Sequence, residues 1–362
     1  MFSSIKVSGY KGITDLSLFK IPRILLIGGR NNVGKSSFLE AVFLALDRMN
    51  PDLLSRHLNF RGVQGIPLTP DSWWRPVFNN YDFSKPIEIE FEDNKSKLLS
   101  FKVRHEQNYT AYNVQQSGLV TAPQKNSHVT STSSAVQALH ISATYNKKSI
   151  QDSHLTIQPQ GFSFQVHHAE GTAATSAVYI SSTARSSARD DAVRYSQLDL
   201  ENKAAQILDI VKLIEPRITK LSVVAIGDMT ELHADVDGFP RKVPISLMGD
   251  GVGRTLSISL SILASSGGIV LVDEIENGLH HSKLPEYWTA ISNACIAANC
   301  QLIATTHSYE CLAAAAKSTS SIDPNSFSYT RIDRIKDSGK LKAVQYSSDE
   351  LSAALDAEFE VR

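Results

Sequence analysis

The chain has 362 residues, 42% hydrophobic and 20% charged, with 36 Lys+Arg against 37 Asp+Glu for a formal net charge of −1. That apolar share excludes a disordered chain; at roughly 150 residues per domain it implies about two domains, or one large α/β unit with an insertion. The charge balance excludes a global attraction to nucleic acid or anionic membrane, so any such surface must be a local patch.

Cys295, Cys300 and Cys311 fall in one late segment. Their odd number and the lack of a CxxC pair argue against a disulfide framework and against structural zinc. A reduced, cytoplasmic compartment is expected. The opening residues lack the apolar core of a secretory leader, and no run of ~18 apolar residues offers a membrane span.

In chain order, residues 2–7 and 16–19 read as strands separated by a turn at Gly9 and Gly12. Residues 24–27 are a continuous apolar run, the pattern of a strand covered on both faces of a parallel sheet. Phe38, Leu39, Ala41, Val42, Ala45 and Leu46 then mark one face of a helix. Residues 51–81 read as loops and short helices, with Trp73 and Trp74 read as packing groups ahead of a base-stacking platform. Alternation over 87–91 predicts a strand, with 98–103 as its hairpin partner. From 118 to 187 the composition shifts to Ser, Thr, Ala, Gln and His, the mark of an inserted subdomain with strands near 155–157 and 162–166. His167-His168 within it reads as a solvated pair. Helical spacing returns over 189–214 and stops at Pro216. Strands are expected at 218–226, 231–236 and 241–243, with Asp237-Gly238 as a turn. A helix over 253–264, a strand over 269–272, an apolar helix holding Cys295 and Cys300, and a strand over 301–305 complete the pattern.

The chemistry sits where these strands end. Gly28-Gly29-Arg30-Asn31-Asn32-Val33-Gly34-Lys35-Ser36-Ser37 contains the full P-loop pattern between a buried strand and a helix. Its backbone N–H groups and the helix N-terminus form a nest for nucleotide phosphates. Lys35 would neutralise phosphate charge and the Ser36 hydroxyl would ligate Mg²⁺. Asp273-Glu274 places two carboxylates at the end of the 269–272 strand, where parallel sheets bind ligands. Asp273 would hold Mg²⁺ and Glu274 would orient and deprotonate the attacking water. His307, after the 301–305 strand, would sense the γ-phosphate or hold the water. His280-His281 lacks a third ligand nearby in sequence, so no metal is assigned to it.

The ordered motifs IGGRNNVGKSSFLEA, SLMGDGVGR, IVLVDEIENGLHHS and LIATTHS resemble the ABC-type ATPases of the SMC, RecF and OLD group, AAA-family ATP-binding proteins. The resemblance covers residues 1–48 and about 241–312 and is thin between them. It implies an α/β P-loop NTPase with an ABC-type head: a mixed sheet core, an antiparallel β subdomain and the inserted Ser/Thr-rich region. The implied division is an N-terminal lobe over 1–105, an inserted subdomain over 106–240 and a C-terminal lobe over 241–362. By the resemblance, Glu276 to His280 form the D-loop, His307 is the switch histidine, and Ser246 to Arg254 form the signature segment. There the backbone of Gly249, Asp250 and Gly251 would cap the γ-phosphate bound by a second copy. Met248 stands where that group carries a Ser before its first Gly; Ser246 is the hydroxyl left to replace it. Asn79 and Asn80 are the candidates for the Q-loop position.

The function implied is an ATP-dependent switch, a homo-dimer or higher oligomer that hydrolyses ATP at head-to-tail sites. About fifty residues follow Ser308, too few for a Toprim nuclease domain, so the ATPase alone is expected. By analogy with two-gene phage-defence systems, a separate nuclease or toxin effector would be its partner, and nucleic acid stays open as a ligand. A transporter nucleotide-binding subunit is the alternative, disfavoured by the signature. A non-hydrolysing ATP-bound scaffold is disfavoured by the presence of Glu274 and His307.

Overall fold

The computed structural model describes residues 1–50, 58, 61, 63, 66–111, 134–158, 161–169, 176–183, 187–336, 339–357, 359 and 361. β1 (Phe2–Tyr10) and β2 (Ile13–Leu18) form a tight antiparallel pair, with Tyr10 opposite Ile13. β3 (Ile24–Gly28) follows, then α1 (Lys35–Leu46) and the short α2 (Pro70–Trp73). β4 (Ile87–Asp93), β5 (Leu98–Ala111), β6 (Ser134–Tyr145), β7 (Lys148–Gln158) and β8 (Gly161–Ala169) pair antiparallel in succession, and β4 joins β1. Among the described residues they make one seven-stranded sheet in the order β2-β1-β4-β5-β6-β7-β8. Of the stretch read as an insertion, residues 118–133, 159–160, 170–175 and 184–186 lie outside the described residues, as do 51–57, 59–60, 62 and 64–65 of the preceding loop region.

β9 (Ala177–Ile180) belongs to a different sheet. After it come α3 (Ala188–Leu200), α4 (Ala204–Lys212), and a three-stranded sheet of β10 (Ile218–Ile226), β11 (Met229–Val236) and β12 (Val243–Pro244). α5 (Asp250–Ala264), β13 (Ile269–Val272), α6 (Leu284–Ala297), β14 (Gln301–Thr305), α7 (Tyr309–Ser320), β15 (Phe327–Arg334), β16 (Leu341–Ser347) and α8 (Ser348–Asp356) complete the chain. The central sheet runs β16-β15-β3-β14-β13-β9, parallel except for β16.

Every residue of β3, β13 and β14 is buried because both faces of this sheet are covered. The period of two sorts them. Ile24, Leu26, Val270, Val272, Leu302 and Ala304 point to a core shared with the helices α3 to α8. Leu25, Ile27, Ile269, Leu271 and Ile303 point to a second core shared with α1 and the seven-stranded sheet. Trp74 is fully buried and Trp73 packs edge-on to Phe162 at 5.2 Å, as packing groups should. Cys295 and Cys300 are buried core thiols.

Where the apolar spacing predicts one helix over 189–214, the structure has two. Asn202 takes a left-handed φ of 60° and the Lys203 N–H reaches back to the Leu198 carbonyl at 2.8 Å, a helix-ending arrangement that Asn tolerates. No described helix is long and apolar enough to cross a membrane.

Candidate active site

The P-loop leaves the end of β3 pressed against β15. A Cβ at Gly28 would lie 2.1 Å from the Tyr329 hydroxyl, and one at Gly29 would lie 2.3 Å from the Ile332 carbonyl oxygen. Gly29 also has φ of 131°, which excludes an ordinary side chain there. Asn32 and Gly34 follow in left-handed backbone, and α1 begins at Lys35. The Phe38 N–H is the one that closes on Gly34, at 2.9 Å. The N–H groups of Lys35, Ser36 and Ser37 precede that bond and are first-turn donors of the helix. Lys35 is 9% exposed and its ammonium donates to the carbonyls of Gly29 at 2.6 Å and Arg30 at 3.1 Å. Burial lowers its pKa, against the opposing pull of Asp273, Glu274 and Glu276.

Asp273 follows β13 directly and is 4% exposed. Its carboxylate collects three hydroxyls. Ser36 donates to Oδ1 at 2.9 Å, Thr305 to Oδ1 at 2.7 Å, and Ser182 to Oδ2 at 3.0 Å. Three neighbouring parallel strands therefore contribute: β13 carries the acid, the end of β14 carries Thr305, and Ser182 follows β9. The set is all oxygen, two carboxylate and three hydroxyl, which suits a hard cation such as Mg²⁺ and not a soft one.

Glu274 has φ of 53°, unusual for a residue with a side chain and an indication of a functional constraint. Its N–H donates to Thr305 Oγ1 at 2.8 Å, so Thr305 holds both acidic residues at once. Asn277 Nδ2 donates to Glu274 Oε2 at 2.8 Å, and His307 Nδ1 lies 3.8 Å from Glu274 Oε1. The His307 N–H donates to Glu276 Oε1 at 3.0 Å, and its Nδ1 sits 3.3 Å from the same oxygen. Glu276 is buried and thus orients the histidine from below.

Lys35, Ser36, Asp273, Glu274 and His307 are brought together beyond the C-terminal ends of β3, β13 and β14. Gly249, Asp250 and Gly251 form the first turn of α5, with Gly249 as its N-cap. A Cβ at Gly251 would lie 2.2 Å from the carbonyl oxygen of Gly278, which itself has φ of 80°. Gly251 is therefore bare because the chain's own backbone at Gly278 occupies the space. Gly249 has no heavy atom within 4 Å of such a Cβ. The Ser246 hydroxyl donates to Glu231 Oε2 at 2.8 Å. Asn79 is buried, with its amide donating to the Lys11 carbonyl at 2.6 Å. Between the first turn of α5 and the backbone at Asn277 and Gly278 lies a cavity of about 350 Å³, bounded by Asp191, Ser246, Asp250, Arg254, Asn277 and Gly278 among others.

Sequence reasoning missed Ser182, Thr305 and Arg254. Arg254 Nη1 donates to the Ser181 carbonyl at 2.8 Å, and Nη2 to the carbonyls of Asp273 and, at 3.1 Å, Glu274. It ties α5 to the backbone that carries both acids. Thr305 lies one residue before the Thr306-His307-Ser308 motif and was readable as its neighbour; Ser182 and Arg254 reach the site only through tertiary pairing.

A family model described as "AAA domain, putative AbiEii toxin, Type IV TA system" matches residues 24–313. The match spans the P-loop, the acidic pair and the histidine, and the chain belongs to this family. It is a P-loop ATPase of the AAA kind with a mixed α/β sheet core, as the resemblance implied. A curated relative named ATP/GTP phosphatase, from Helicobacter pylori (strain ATCC 700392 / 26695), is 24% identical over 332 residues, 86% of each chain. Solved structures matched along most of the chain include the SMC head domain from Thermotoga maritima, at 12% identity and TM-score 0.45, covering 96% of this chain and 99% of that one. Another is the Smc head domain with an extended coiled coil bound to the C-terminal domain of ScpA derived from Pyrococcus furiosus, at 11% identity and TM-score 0.49, covering 99% of each.

Proposed function

We propose that the chain is an ATP-driven switch that hydrolyses ATP between two copies of itself and passes the resulting change to a separate effector. The observation that carries this reading is the convergence of Ser36, Asp273, Glu274 and His307 at the C-terminal ends of the parallel strands β3, β13 and β14. In this reading the amides of 29–37 cradle the triphosphate, and Lys35 leaves its two carbonyl partners for the phosphates. Ser36 and Asp273 hold Mg²⁺, which when bound neutralises phosphate charge. Glu274 orients the attacking water and accepts its proton, and His307, set by Glu276, fixes the water or the γ-phosphate. The N-terminal turn of α5 supplies amides to the phosphate of the opposite copy.

The family description, with its toxin and Type IV toxin–antitoxin wording, supports an effector in bacterial conflict as the output. A nuclease or toxin encoded beside this chain is the partner we infer, acting in antiviral defence or DNA repair.

A site shared between copies makes turnover depend on assembly. ATPase rate per chain should rise with protein concentration and level off where light scattering shows the dimer complete. A rate per chain that stays constant across the monomer–dimer transition would contradict the shared site.

A further inference from the structure

On the outward face of the seven-stranded sheet, His140 of β6 and His154 of β7 are cross-strand partners. Their imidazoles stack with centroids 4.8 Å apart and planes 18° from parallel. Glu106 of β5 reaches both: Oε1 is 3.9 Å from His140 Nδ1 and Oε2 is 3.3 Å from His154 Nε2. One ligand atom from each of the three residues lies within 4.8 Å of the others, and all three residues are half-buried.

The second nitrogen of each ring is held by a different group. His140 Nε2 is 3.0 Å from Asp152 Oδ1, and His154 Nδ1 is 3.0 Å from His167 Nε2. His167 is the extra residue where the β7–β8 register shifts opposite Asp152 and Ser153, a bulge that re-aims its side chain. A second register shift, between Glu106 and Tyr109, puts Tyr109 on the same face, where its ring stacks on His154 at 4.2 Å. Each imidazole is thus fixed through one nitrogen and presents the other to the same carboxylate. That is the arrangement of metal-ligating histidines, which give their remote nitrogen to a carboxylate or another polar partner.

We propose that Glu106, His140 and His154 form a binding site for a divalent transition metal of the zinc class, separate from the ATPase centre. Two imidazoles and a carboxylate are borderline donors that suit Zn²⁺ and not Mg²⁺. Tetrahedral donors at zinc bond lengths stand about 3.3–3.5 Å apart. The 3.3 and 3.9 Å separations fall on different oxygens of Glu106, and with one donor atom from each residue the set spans up to 4.8 Å, so the side chains must close by about an ångström to reach that spacing. Asp152 and His167 are positioning residues, and solvent fills the remaining coordination position. The ion would join β5, β6 and β7 by bonds to the side chains as well as the backbone ladder.

The full chain, stripped with chelator and titrated with Zn²⁺ under excess Mg²⁺, should bind one ion per chain, and Co²⁺ should give the visible absorption of a four-coordinate site. Glu106→Gln and His154→Gln should keep the wild-type Tm in chelator, keep ATPase turnover within about twofold, and lose at least tenfold in Zn²⁺ affinity. Asp152→Asn should weaken affinity by about 10–100-fold without changing the stoichiometry. If either ligand variant fails to fold, the other and the cobalt spectrum decide. Absence of stoichiometric binding by the wild type, or affinity unchanged in a folded ligand variant, overturns the assignment.

Discussion

At the scale of residues, the proposed mechanism divides the labour between two adjacent acids. Asp273 is saturated by hydroxyls from Ser36, Thr305 and Ser182. Glu274 keeps one oxygen on Asn277 and turns the other toward His307. The left-handed backbone at Glu274 gives the two sequence neighbours different partners. Glu274→Gln preserves size and the contact to Asn277 but cannot accept a proton. It should bind ATP as the wild type does and lose about 10²–10⁴-fold in turnover. Steady-state turnover within a few-fold of wild type would remove Glu274 from that role.

At the scale of elements, a buried carboxyl links two helices beside the site. α3 meets α5 through Asp191, which is 7% exposed, accepts the Ser257 hydroxyl on Oδ2, and pairs with Arg194 at 3.1 Å. Burial raises its carboxyl pKa, more than Ser257 and Arg194 lower it. The folded pKa therefore lies above the unfolded value of about 3.9, and the fold holds the extra proton between them. Stability from this group is complete below the unfolded value and is lost as pH rises through the folded pKa. Asp191→Asn mimics the neutral acid, so its stability relative to wild type should increase as pH rises through that window. Denaturant unfolding at a series of pH values checks this, and a pH-independent difference would contradict it.

The elements also show what was legible in the sequence. β3 with the P-loop, β13 with Asp273-Glu274, and β14 with His307 each announce themselves locally, as a short apolar run ending in polar residues. β6 and β9 do not. β6 carries small and polar residues such as Ala135, Gln137, Ser142 and Ala143, and its stability comes from two long neighbours. β9 is four residues long and is defined by its parallel partner β13. The grouping of Glu106, His140 and His154 was invisible for the same reason: it depends on the register of three strands, which no local pattern encodes.

At the scale of the whole molecule, one sheet buried on both faces sets Ser36, Asp273, Glu274 and His307 beyond the ends of its interior strands, and in the proposed dimer the first turn of α5 would face a second copy. Gly251 is a poor probe of that contact, since any side chain there displaces the chain's own Gly278. Gly249 is a better one. It is the N-cap of α5 at φ −56° with open space around it, and Asp is a favoured N-cap, so Gly249→Asp should fold normally. Its carboxylate would repel the phosphate of the opposite copy while leaving its own P-loop intact. Lys35→Ala removes the cation from the nest and should lose ATP binding, with α5 untouched. The most direct measurement is the ATPase activity of these two inactive variants mixed in equal amounts. The account predicts partial recovery, because a mixed dimer holds one site with an intact Lys35 and an intact Gly249. No recovery, with mixed dimers demonstrated by light scattering of differently sized tagged chains, would contradict an active site shared head to tail.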